Sequence, residues 1–416
     1  MKFETYPIHS GLKKNLSRQG LSRPTDIQYK AIPSILKGED VLAIAQTGTG
    51  KTIAFAVPVI HRVIQAKAAG TQKGVHCIVM VPTRELAAQI HDVFSALCRK
   101  TRVHPFAVYG GVDQDPQIER LIRGVDILIA TPGRMFDLIS QKAIDVRRTR
   151  ILVLDEADQM LDQGFIDDIQ AIKRHLKQRH QTLFFSATIN KQIKKLAFSQ
   201  VKSNAIRIQI SPDDPVSKNV SHYVFFVEMD DKRFFLRRFI REHEGAKVLV
   251  FVRTKVRAER VAKALGRSNI SALTIYGQKD QAERLEAMAA FKRGDENILI
   301  ATDVSARGID IPNVNYVVNY DLPDQKEVYV HRVGRTGRGR EKGTAVSFCA
   351  RGEKPLLDAI ERFLNKKIGV VKMNKDAYSL TVDVLDGAQS IQDMIQANED
   401  WEKNRRKKKS NRKKKK

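Results

Sequence analysis

Short apolar runs recur through most of the chain, and a polar segment follows nearly every one of them. In the first half the runs fall at residues 41–45, 75–81, 106–109, 127–130, 151–154 and 182–185. Stretches with helical character lie between most of these runs, and the segment before Leu36 is expected to be largely helical with turns. Strands that alternate with helices predict an α/β fold with a doubly wound parallel sheet.

The polar segment at residues 211–219 interrupts this alternation. It has two prolines and no apolar period, which indicates a linker. The alternation then resumes, with apolar runs at residues 223–227, 247–252, 272–276, 297–301, 315–319 and 344–349. We therefore predict two tandem domains of the same kind, at residues 1–210 and 220–365, and a C-terminal extension at 366–416. Within the extension, only residues 391–395 suggest a short amphipathic helix.

Polar sequences follow the predicted strands, where a parallel sheet binds its ligands. In the first domain these are PTRELAAQ at 82–89, TPGR at 131–134, DEAD at 155–158 and SAT at 186–188. In the second domain they are FVRT at 251–254, ATDVSARGID at 301–310 and, on the expected next helix, HRVGRTGRGR at 331–340.

The sequence AQTGTGKT, at residues 45–52, predicts a phosphate-binding loop between a strand and a helix. Gly48 and Gly50 lack Cβ, so backbone N–H groups can curl around a phosphate chain. Lys51 is placed to reach the β- and γ-phosphates, and the Thr52 hydroxyl to hold Mg²⁺. The general pattern begins with glycine where this chain has Ala45. An ordinary glycine-rich turn is the alternative, but Lys-Thr in this context favours phosphate binding.

Two acids, Asp155 and Glu156, follow the apolar strand at residues 151–154. An aspartate there can hold Mg²⁺ through water, and the next glutamate can orient an attacking water. Acids at strand ends also serve as ordinary caps, but two of them downstream of a phosphate loop favour nucleotide hydrolysis. Gln28 is either a surface residue or, because it lies close to the loop in sequence, a contact to the N6/N7 edge of adenine.

The net charge of +26 indicates a polyanionic partner. Residues 402–416 carry eleven Lys/Arg against Glu402, and the remaining +16 lies in the rest of the chain. Such a like-charge block predicts a disordered tail, which we interpret as an RNA tether rather than a merely solvated or nuclear tail. The segment 331–340 holds four arginines, which could form a solvated helix, an RNA patch or, as we favour, arginine fingers.

The three cysteines, Cys77, Cys98 and Cys349, show neither a metal-binding spacing nor an even disulfide set. They favour a reducing cytoplasm. The first ten residues contain no apolar run typical of a signal peptide, and no stretch has the apolar length of a membrane span. We therefore expect a cytoplasmic protein without a membrane partner.

Taken together, these motifs resemble those of DEAD-box ATP-dependent RNA helicases of superfamily 2, in particular bacterial ones such as the RhlE type. The resemblance covers residues 3–351. It implies two RecA-like domains, Mg²⁺ and ATP in the cleft between them, and RNA across both.

The resemblance also implies roles for individual residues. Around ATP, Gln28 would read adenine, Phe3 would stack on it and Asp310 would hold the ribose. The phosphate loop would comprise Ala45, Gln46, Thr47, Gly48, Thr49, Gly50, Lys51 and Thr52. The catalytic set would be Lys51, Asp155, Glu156, the coupling residues Ser186 and Thr188, the fingers Arg335 and Arg338, and the bridging His331. The RNA contacts would be Thr83, Arg84, Gly111, Thr131, Arg134, Arg253, Thr254, Thr302 and Asp303. Gln281 and Arg284 fit the family's Gln-x-x-Arg element.

The resulting hypothesis is an RNA-dependent ATPase that locally unwinds short duplexes. An ATP-gated RNA clamp with little unwinding is a second possibility, and a DNA-translocating helicase of the same superfamily is a third. The expected partners are single-stranded RNA and short RNA duplexes. Ribosomal precursors and RNA-decay complexes are both compatible with the sequence.

Overall fold

The computed structural model describes residues 2–46, 48–70, 74–210, 219–303, 314–337 and 341–383. These residues form two compact units, residues 2–210 and 219–383. The predicted sites at Thr47, Asp310 and Arg338 lie outside the described residues, as do residues 211–218 of the predicted linker and the basic tail. Within the described ranges, no helix combines the length and the apolar character needed to cross a membrane.

The first unit begins with a short 3₁₀ helix, Phe3–Thr5, and then alternates helices and strands. Its strands are β1 Val41–Ile44, β2 Cys77–Met80, β3 Pro105–Val108, β4 Ile127–Ala130, β5 Ile151–Leu154, β6 Gln181–Ser186 and β7 Ile206–Gln209. Its helices are α1 Ser10–Arg18, α2 Asp26–Leu36, α3 Lys51–Ala68, α4 Arg84–Leu97, α5 Asp115–Ile122, α6 Pro132–Ser140, α7 Ala157–Asp162, α8 Ile166–His175 and α9 Lys191–Gln200.

These strands form one seven-stranded sheet in the order β3-β4-β2-β5-β6-β1-β7, and all hydrogen-bonded neighbours are parallel. Helices cover both faces of the sheet. On β1, Val41 and Ala43 enter one hydrophobic core, and Leu42 and Ile44 enter the other. Burial on both faces explains why most strands were recognisable as continuous apolar runs rather than as alternating patterns.

The second unit has the same organisation. Its strands are β8 Val220–Phe226, β9 Val248–Val252, β10 Leu273–Ile275, β11 Ile298–Thr302, β12 Tyr316–Asn319, β13 Gly343–Cys349 and β14 Gly369–Val370. Its described helices are α10 Lys232–Glu242, α11 Lys255–Gly266, α12 Gln281–Arg293, α13 Lys326–Val333, α14 Lys354–Leu364 and α15 Lys375–Asp383, with a 3₁₀ turn at Arg351–Glu353.

The sheet of the second unit has the order β10-β11-β9-β12-β13-β8-β14, again with parallel neighbours. When the strands of each unit are counted from its own first strand, both sheets read 3-4-2-5-6-1-7. The two units therefore share one topology, and the predicted α/β class with two doubly wound parallel sheets is confirmed. Equivalent strand ends in the two units can be compared directly.

The elements differ from the sequence-based expectations in three respects. The edge strands β7 and β14 were not predicted, because each is short and offers little buried apolar surface. The chain beyond residue 365 continues into β14 and α15 of the second unit. Helix α13 ends at Val333, so only His331, Arg332 and Val333 of the arginine-rich segment lie on it, and residues 334–337 follow the helix. Gly334, directly after the last helical residue, is a poor helix former and favours this termination.

Candidate nucleotide and nucleic-acid site

The phosphate loop connects buried strand β1 to helix α3, as the sequence predicted. Gly48 and Gly50 have positive φ angles of 79° and 90°. Only glycine takes this conformation without strain. A Cβ on Gly50 would also lie 2.3 Å from Gln28 Nε2, so both the backbone and the close approach require glycine here. Lys51 is the first residue of α3, where helical N–H groups favour an anion.

Gln28 joins the N-terminal segment to this loop. Its Oε1 accepts a hydrogen bond from Thr25 N at 2.9 Å, and its Nε2 donates to Gly50 O at 3.0 Å. Thr25 Oγ1 donates to Thr49 O at 2.8 Å. Gln28 Oε1 can accept one more hydrogen bond and Nε2 can donate one more, so the side chain can still contact adenine. The first observable role of Gln28 is nevertheless to position the loop.

Asp155 and Glu156 lie at the carboxyl end of β5, beside Lys51. Lys51 Nζ is 3.6 Å from Glu156 Oε1, and both side chains are no more than 7% exposed. Glu156 has a left-handed backbone with φ 53°, unusual for a residue other than glycine, and Gln159 Nε2 donates to its other oxygen. Glu156 N in turn donates to Asp155 Oδ1 at 3.0 Å. The Lys51 ammonium and the carboxyl groups of Asp155 and Glu156 therefore lie together in a buried site.

This site fits a divalent cation. Burial raises the pKa of Asp155 to about 7, although the Lys51 ammonium opposes the shift. A buried carboxylate that is costly to ionise is stabilised as the anion when a metal ion lies beside it. Hard oxygen donors are the ligands that Mg²⁺ uses, and it commonly takes one or two carboxylates together with substrate phosphates. Asp155 and the Thr52 hydroxyl would supply the protein's share.

Asp158, to which the sequence analysis gave no individual role, binds the SAT segment. Its Oδ2 accepts hydrogen bonds from Thr188 N and Thr188 Oγ1, both at 2.9 Å, and from Ala187 N at 3.2 Å. Ser186 Oγ donates to Thr188 O at 2.7 Å. The fourth residue of the DEAD sequence thus ties the end of β6 to helix α7. Its place inside a motif already singled out was the signal that could have identified it.

Phe3 does not present a free ring in this structure. It is 2% exposed and packs in the hydrophobic core with Tyr6, at a ring-centroid distance of 6.0 Å. A ring covered to this extent has no open face for a base, which argues against Phe3 as the aromatic that stacks on adenine. That role stays a prediction, and it would require the ring to be uncovered.

The proposed RNA contacts of the first unit gather at the carboxyl ends of β2, β3 and β4. Thr83 caps helix α4 by accepting from Leu86 N at 3.3 Å. The guanidinium of Arg84 lies against Gly111, where an added Cβ would be 1.7 Å from Arg84 Nη1. Thr131 and Arg134 belong to the start of α6, and Arg134 Nη2 donates to Val112 O at 3.0 Å. These residues share one edge, as the sequence predicted.

The strand order separates this group from the nucleotide group. Strands β3, β4 and β2 form one side of the sheet, and β5, β6 and β1 follow on the other side. The proposed RNA residues follow the carboxyl ends of β2, β3 and β4. The phosphate loop, DEAD and SAT follow the carboxyl ends of β1, β5 and β6. Strands β2 and β5 are neighbours, so the two groups meet along one sheet edge.

In the second unit, the proposed RNA contacts follow topologically equivalent strands. Arg253 and Thr254 come after β9, the second strand of its unit, just as Thr83 comes after β2. Thr254 caps α11 by accepting from Arg257 N at 3.2 Å, again as Thr83 caps α4. Thr302 ends β11, the fourth strand, which corresponds to β4 before Thr131. The predicted RNA contacts thus occupy topologically equivalent positions in the two units.

Arg332 is a positioning residue that the sequence analysis did not single out. Its Nε and Nη2 bind the two carboxylate oxygens of Asp303 at 2.6 and 2.8 Å. Its Nη1 donates to Asn319 Oδ1 at 3.2 Å and to Asp321 O at 2.6 Å. A two-pronged ion pair of this kind fixes the carboxylate in place. Asp303 is therefore held against the protein at the end of β11.

His331 and Arg335, predicted to act on the nucleotide, are both largely buried. Arg335 Nε donates to His331 O at 3.1 Å, which joins the segment after α13 to the last turn of that helix. Gln281 and Arg284 lie in the first turn of α12 and are also buried. The roles of these residues stay predictions.

Two family models match the chain. One, described as DEAD/DEAH box helicase, covers residues 25–196, and the other, described as Helicase conserved C-terminal domain, covers residues 231–340. The first match lies within the first unit, and the described residues of the second match lie within the second unit. The first match contains the phosphate loop, DEAD and SAT, and the second contains Arg253, Thr302 and His331.

Individual relatives agree with these matches. The ATP-dependent RNA helicase RhlB of Xanthomonas oryzae pv. oryzae is 39% identical over 88% of this chain, which spans 65% of that relative's length. The DEAD-box ATP-dependent RNA helicase RhpA of Helicobacter pylori is 36% identical over 88% of this chain and 73% of its own length.

A solved structure also resembles the chain closely. Dbp5 of S. cerevisiae, bound to RNA and ADP BeF3, is 28% identical, with a TM-score of 0.81 over 92% of this chain and 98% of that one. Sequence motifs, family models and fold lead to the same assignment: the chain belongs to the DEAD-box helicases of the DEAD/DEAH box family.

Proposed function

We propose that this chain is an ATP-dependent RNA helicase that hydrolyses ATP when RNA is bound and separates short duplexes locally. The observation that carries the proposal is the buried group of Lys51, Asp155 and Glu156 at the ends of β1 and β5. The names of the two bacterial relatives and the RNA in the Dbp5 structure support the substrate class.

ATP would be held by the loop between β1 and α3. The positive φ angles of Gly48 and Gly50 turn the backbone so that N–H groups can face phosphate oxygens. Lys51 would neutralise the β- and γ-phosphates, and Gln28 would keep the loop in place through Gly50 O. Mg²⁺, with Asp155 and Thr52 as its protein ligands, would neutralise charge on the transferring phosphoryl group.

Glu156 would orient the attacking water. Its position is fixed by the left-handed backbone, by Lys51 and by the amide of Gln159. Loss of the terminal phosphate would then alter the surroundings of the carboxylates. Asp158, two residues further on, accepts hydrogen bonds from the backbone N–H groups of Ala187 and Thr188 in the SAT segment. We propose this connection as the path by which hydrolysis reaches the strand ends that bind RNA.

RNA would bind along the edges formed by β2, β3 and β4 in the first unit and by β9 and β11 in the second. Helix N-termini after β2, β4 and β9 favour phosphates, and the arginines at or near them add charge. Backbone contacts of this type carry little sequence information, so we expect weak sequence preference.

Further roles in the second unit remain proposals. Arg335 would supply a guanidinium to the γ-phosphate, with His331 beside it. The same holds for the finger role of Arg338 and the ribose contact of Asp310. We also propose that the second domain continues from residue 220 to 383, since β14 and α15 belong to that unit. Residues 211–219 would be the linker, and residues 384–416 the extension with its basic tail.

We further propose that the protein acts in the cytoplasm. The thiols of Cys77, Cys98 and Cys349 are free and buried, as suits a reducing compartment. Among possible RNA partners, ribosomal precursors and RNA-decay complexes stay predictions.

The experiment is ATP turnover by the full chain with single-stranded RNA and with DNA of the same sequence, combined with strand release from a short RNA duplex. We expect RNA, but not DNA, to stimulate turnover and ATP to drive strand release. Equal stimulation by DNA would contradict the RNA assignment. Stimulated turnover without strand release would instead identify an RNA clamp.

A further inference from the structure

Helix α10 carries a row of arginines to which none of the roles above applies. Arg233, Arg237 and Arg241 recur at every fourth residue, which places them on one face of the helix. We call these three residues the α10 stripe. The opposite face is buried in the core of the second unit through Phe235, Leu236, Phe239 and Ile240. The stripe thus points away from that core.

No stripe residue forms an ion pair with any described residue. Arg238 on the same helix differs, because its Nε binds Glu242 at 2.7 Å. Like charges four residues apart destabilise an isolated helix by about 0.2–0.5 kcal/mol per pair. Consistent with this, burial and the nearby Arg241 lower the pKa of Arg237. A helix that only needed solubility would interleave acids in such a row.

A half-buried aromatic ring holds two of the guanidiniums. The Cζ atoms of Arg233 and Arg237 lie 4.6 and 5.6 Å from the ring centroid of Phe234. Cation–π contacts of this geometry restrict both side chains. The stripe is therefore partly preorganised, which reduces the entropy lost when a ligand binds.

The first turn of α10 is anchored beside a proposed RNA contact. Lys232 is fully buried, and its Nζ donates to Tyr320 O at 2.7 Å and to Glu353 Oε2 at 2.5 Å. Asp321, next to Tyr320, accepts from Arg253 N at 3.0 Å. The stripe consequently begins at the sheet edge that carries Arg253 and extends away from it along the helix.

The same helix holds the segment that leads to the basic tail. Helix α15 packs on α10, with the rings of Phe235 and Tyr378 5.1 Å apart. Tyr378 Oη also donates to Asp231 Oδ2 at 2.7 Å. The sequence after α15 ends in residues 402–416 with eleven Lys/Arg. The stripe therefore lies on a helix that reaches from the proposed RNA edge to α15, the last described helix before the tail sequence.

We propose that the α10 stripe is an additional RNA-binding surface, which contacts phosphates of a strand that extends beyond the core contacts. The inference rests on the proposed RNA-binding function. Planar guanidiniums match phosphate oxygens, and a basic row with an interleaved aromatic ring suits a single strand. Exposed carboxylates flank the helix, with Glu228 and Asp230 before it and Glu244 after it, so the phosphate contacts belong on the turns between them.

The test compares two variants of the full chain that lose the same charge. In the stripe variant, Arg233→Gln, Arg237→Gln and Arg241→Gln are combined. In the control, Arg260→Gln, Lys263→Gln and Arg267→Gln remove three exposed cations from α11 and its C-cap, none of which forms an ion pair or an aromatic contact with a described residue. Affinity for a long and a short single-stranded RNA is measured over a range of salt concentrations, with urea unfolding as a check on the fold.

We expect the stripe variant to bind the long RNA more weakly, with a log–log salt slope reduced by up to about 2, since each lost phosphate contact is worth about 0.7. Affinity for the short RNA and turnover at saturating short RNA should stay at the wild-type level, and the control should change little. Equal effects of the two variants, or unchanged affinity of the stripe variant, would overturn the proposal. Unchanged affinity would point to an acidic protein partner instead. In either case, RNA-stimulated turnover of the wild type would still support the proposed function.

Discussion

At the residue scale, the candidate site depends on close approaches between residues that lie far apart in sequence. Gln28 meets Gly50, Arg84 meets Gly111, and Asp158 meets the SAT backbone. The sequence identified most of these residues because each belongs to a short motif with a chemical meaning. It could not show which residue supports which, since the supporting contacts come from different strand ends.

Gly111→Ala should weaken RNA binding and leave ATP binding unchanged. The new Cβ would lie 1.7 Å from Arg84 Nη1, so the guanidinium must move. Affinities for single-stranded RNA and for ATP are the measurements. The matched control is Gly70→Ala, because Gly70 has a similar φ of 75° but no atom within 4 Å of the added Cβ. If the two variants bind RNA equally well, Arg84 has no role at the RNA edge.

Glu156→Gln should bind ATP and RNA but hydrolyse ATP about 10²–10⁴-fold more slowly, the usual contribution of a positioned acid–base group. The amide keeps the shape of the side chain and can still contact Gln159. It can no longer act as a base toward water. Single-turnover hydrolysis and the lifetime of the RNA complex with ATP are the measurements. RNA release as fast as in the wild type would show that Glu156 does not have this role.

At the element scale, the apolar runs of the sequence predict where most strands and helices lie, but they do not predict the residues at which these elements begin and end. Strand β7 was missed because its exposed residues and edge position give a weak apolar signal. Helix α13 was expected to carry all of HRVGRTGRGR, yet it ends at Val333. The α7 helix is short, and its connection to β6 through Asp158 depends on tertiary contacts that no local pattern reveals.

Asp158→Asn should separate ATP hydrolysis from strand release. The carboxylate oxygen accepts three hydrogen bonds from the SAT segment, and charged hydrogen bonds of this kind are worth about 1.5–3 kcal/mol. We expect strand release per ATP to fall more than turnover falls. Asp167→Asn, at an exposed position of α8, is the control. A constant ratio of strand release to turnover would contradict the coupling role of this contact.

At the scale of the whole molecule, the two units share one sheet order but differ at the position where ATP is proposed to bind. In the first unit, Lys51 is the first residue of α3, and its Nζ lies 3.6 Å from Oε1 of Glu156, which follows the fifth strand, β5. In the second unit, Lys232 at the start of α10 lies 3.6 Å from Asp321 after β12. There Glu353 also binds the lysine, and no glycine-rich loop precedes it.

This comparison explains an asymmetry that the sequence alone did not show. The second unit keeps the lysine–carboxylate pair as a buried structural cluster, which also holds the backbone of Arg253. We therefore propose that the first unit binds the nucleotide and that the equivalent place in the second unit supports an RNA contact. The motifs predicted the first assignment, whereas Lys232 lies in no motif that the sequence analysis recognised.

Arg335→Lys should reduce RNA-stimulated turnover by about 10³–10⁵-fold, as expected for the loss of an arginine finger. Lysine keeps the charge but loses the planar fork. ATP affinity should change much less, because Gln28 and the phosphate loop belong to the first unit. Arg260→Lys, on the exposed face of α11, is the control. Normal turnover in Arg335→Lys would remove this residue from the reaction.

The central claim is that RNA-stimulated ATP hydrolysis takes place at the phosphate loop of the first unit. The most direct measurement is ATP turnover of the full chain with and without single-stranded RNA, for the wild type and for Lys51→Ala. We predict that RNA raises turnover of the wild type and that the variant loses this turnover by at least about 10²–10³-fold, with its fold intact by urea unfolding. Near-normal RNA-stimulated turnover in Lys51→Ala would contradict the nucleotide assignment and the function proposed from it.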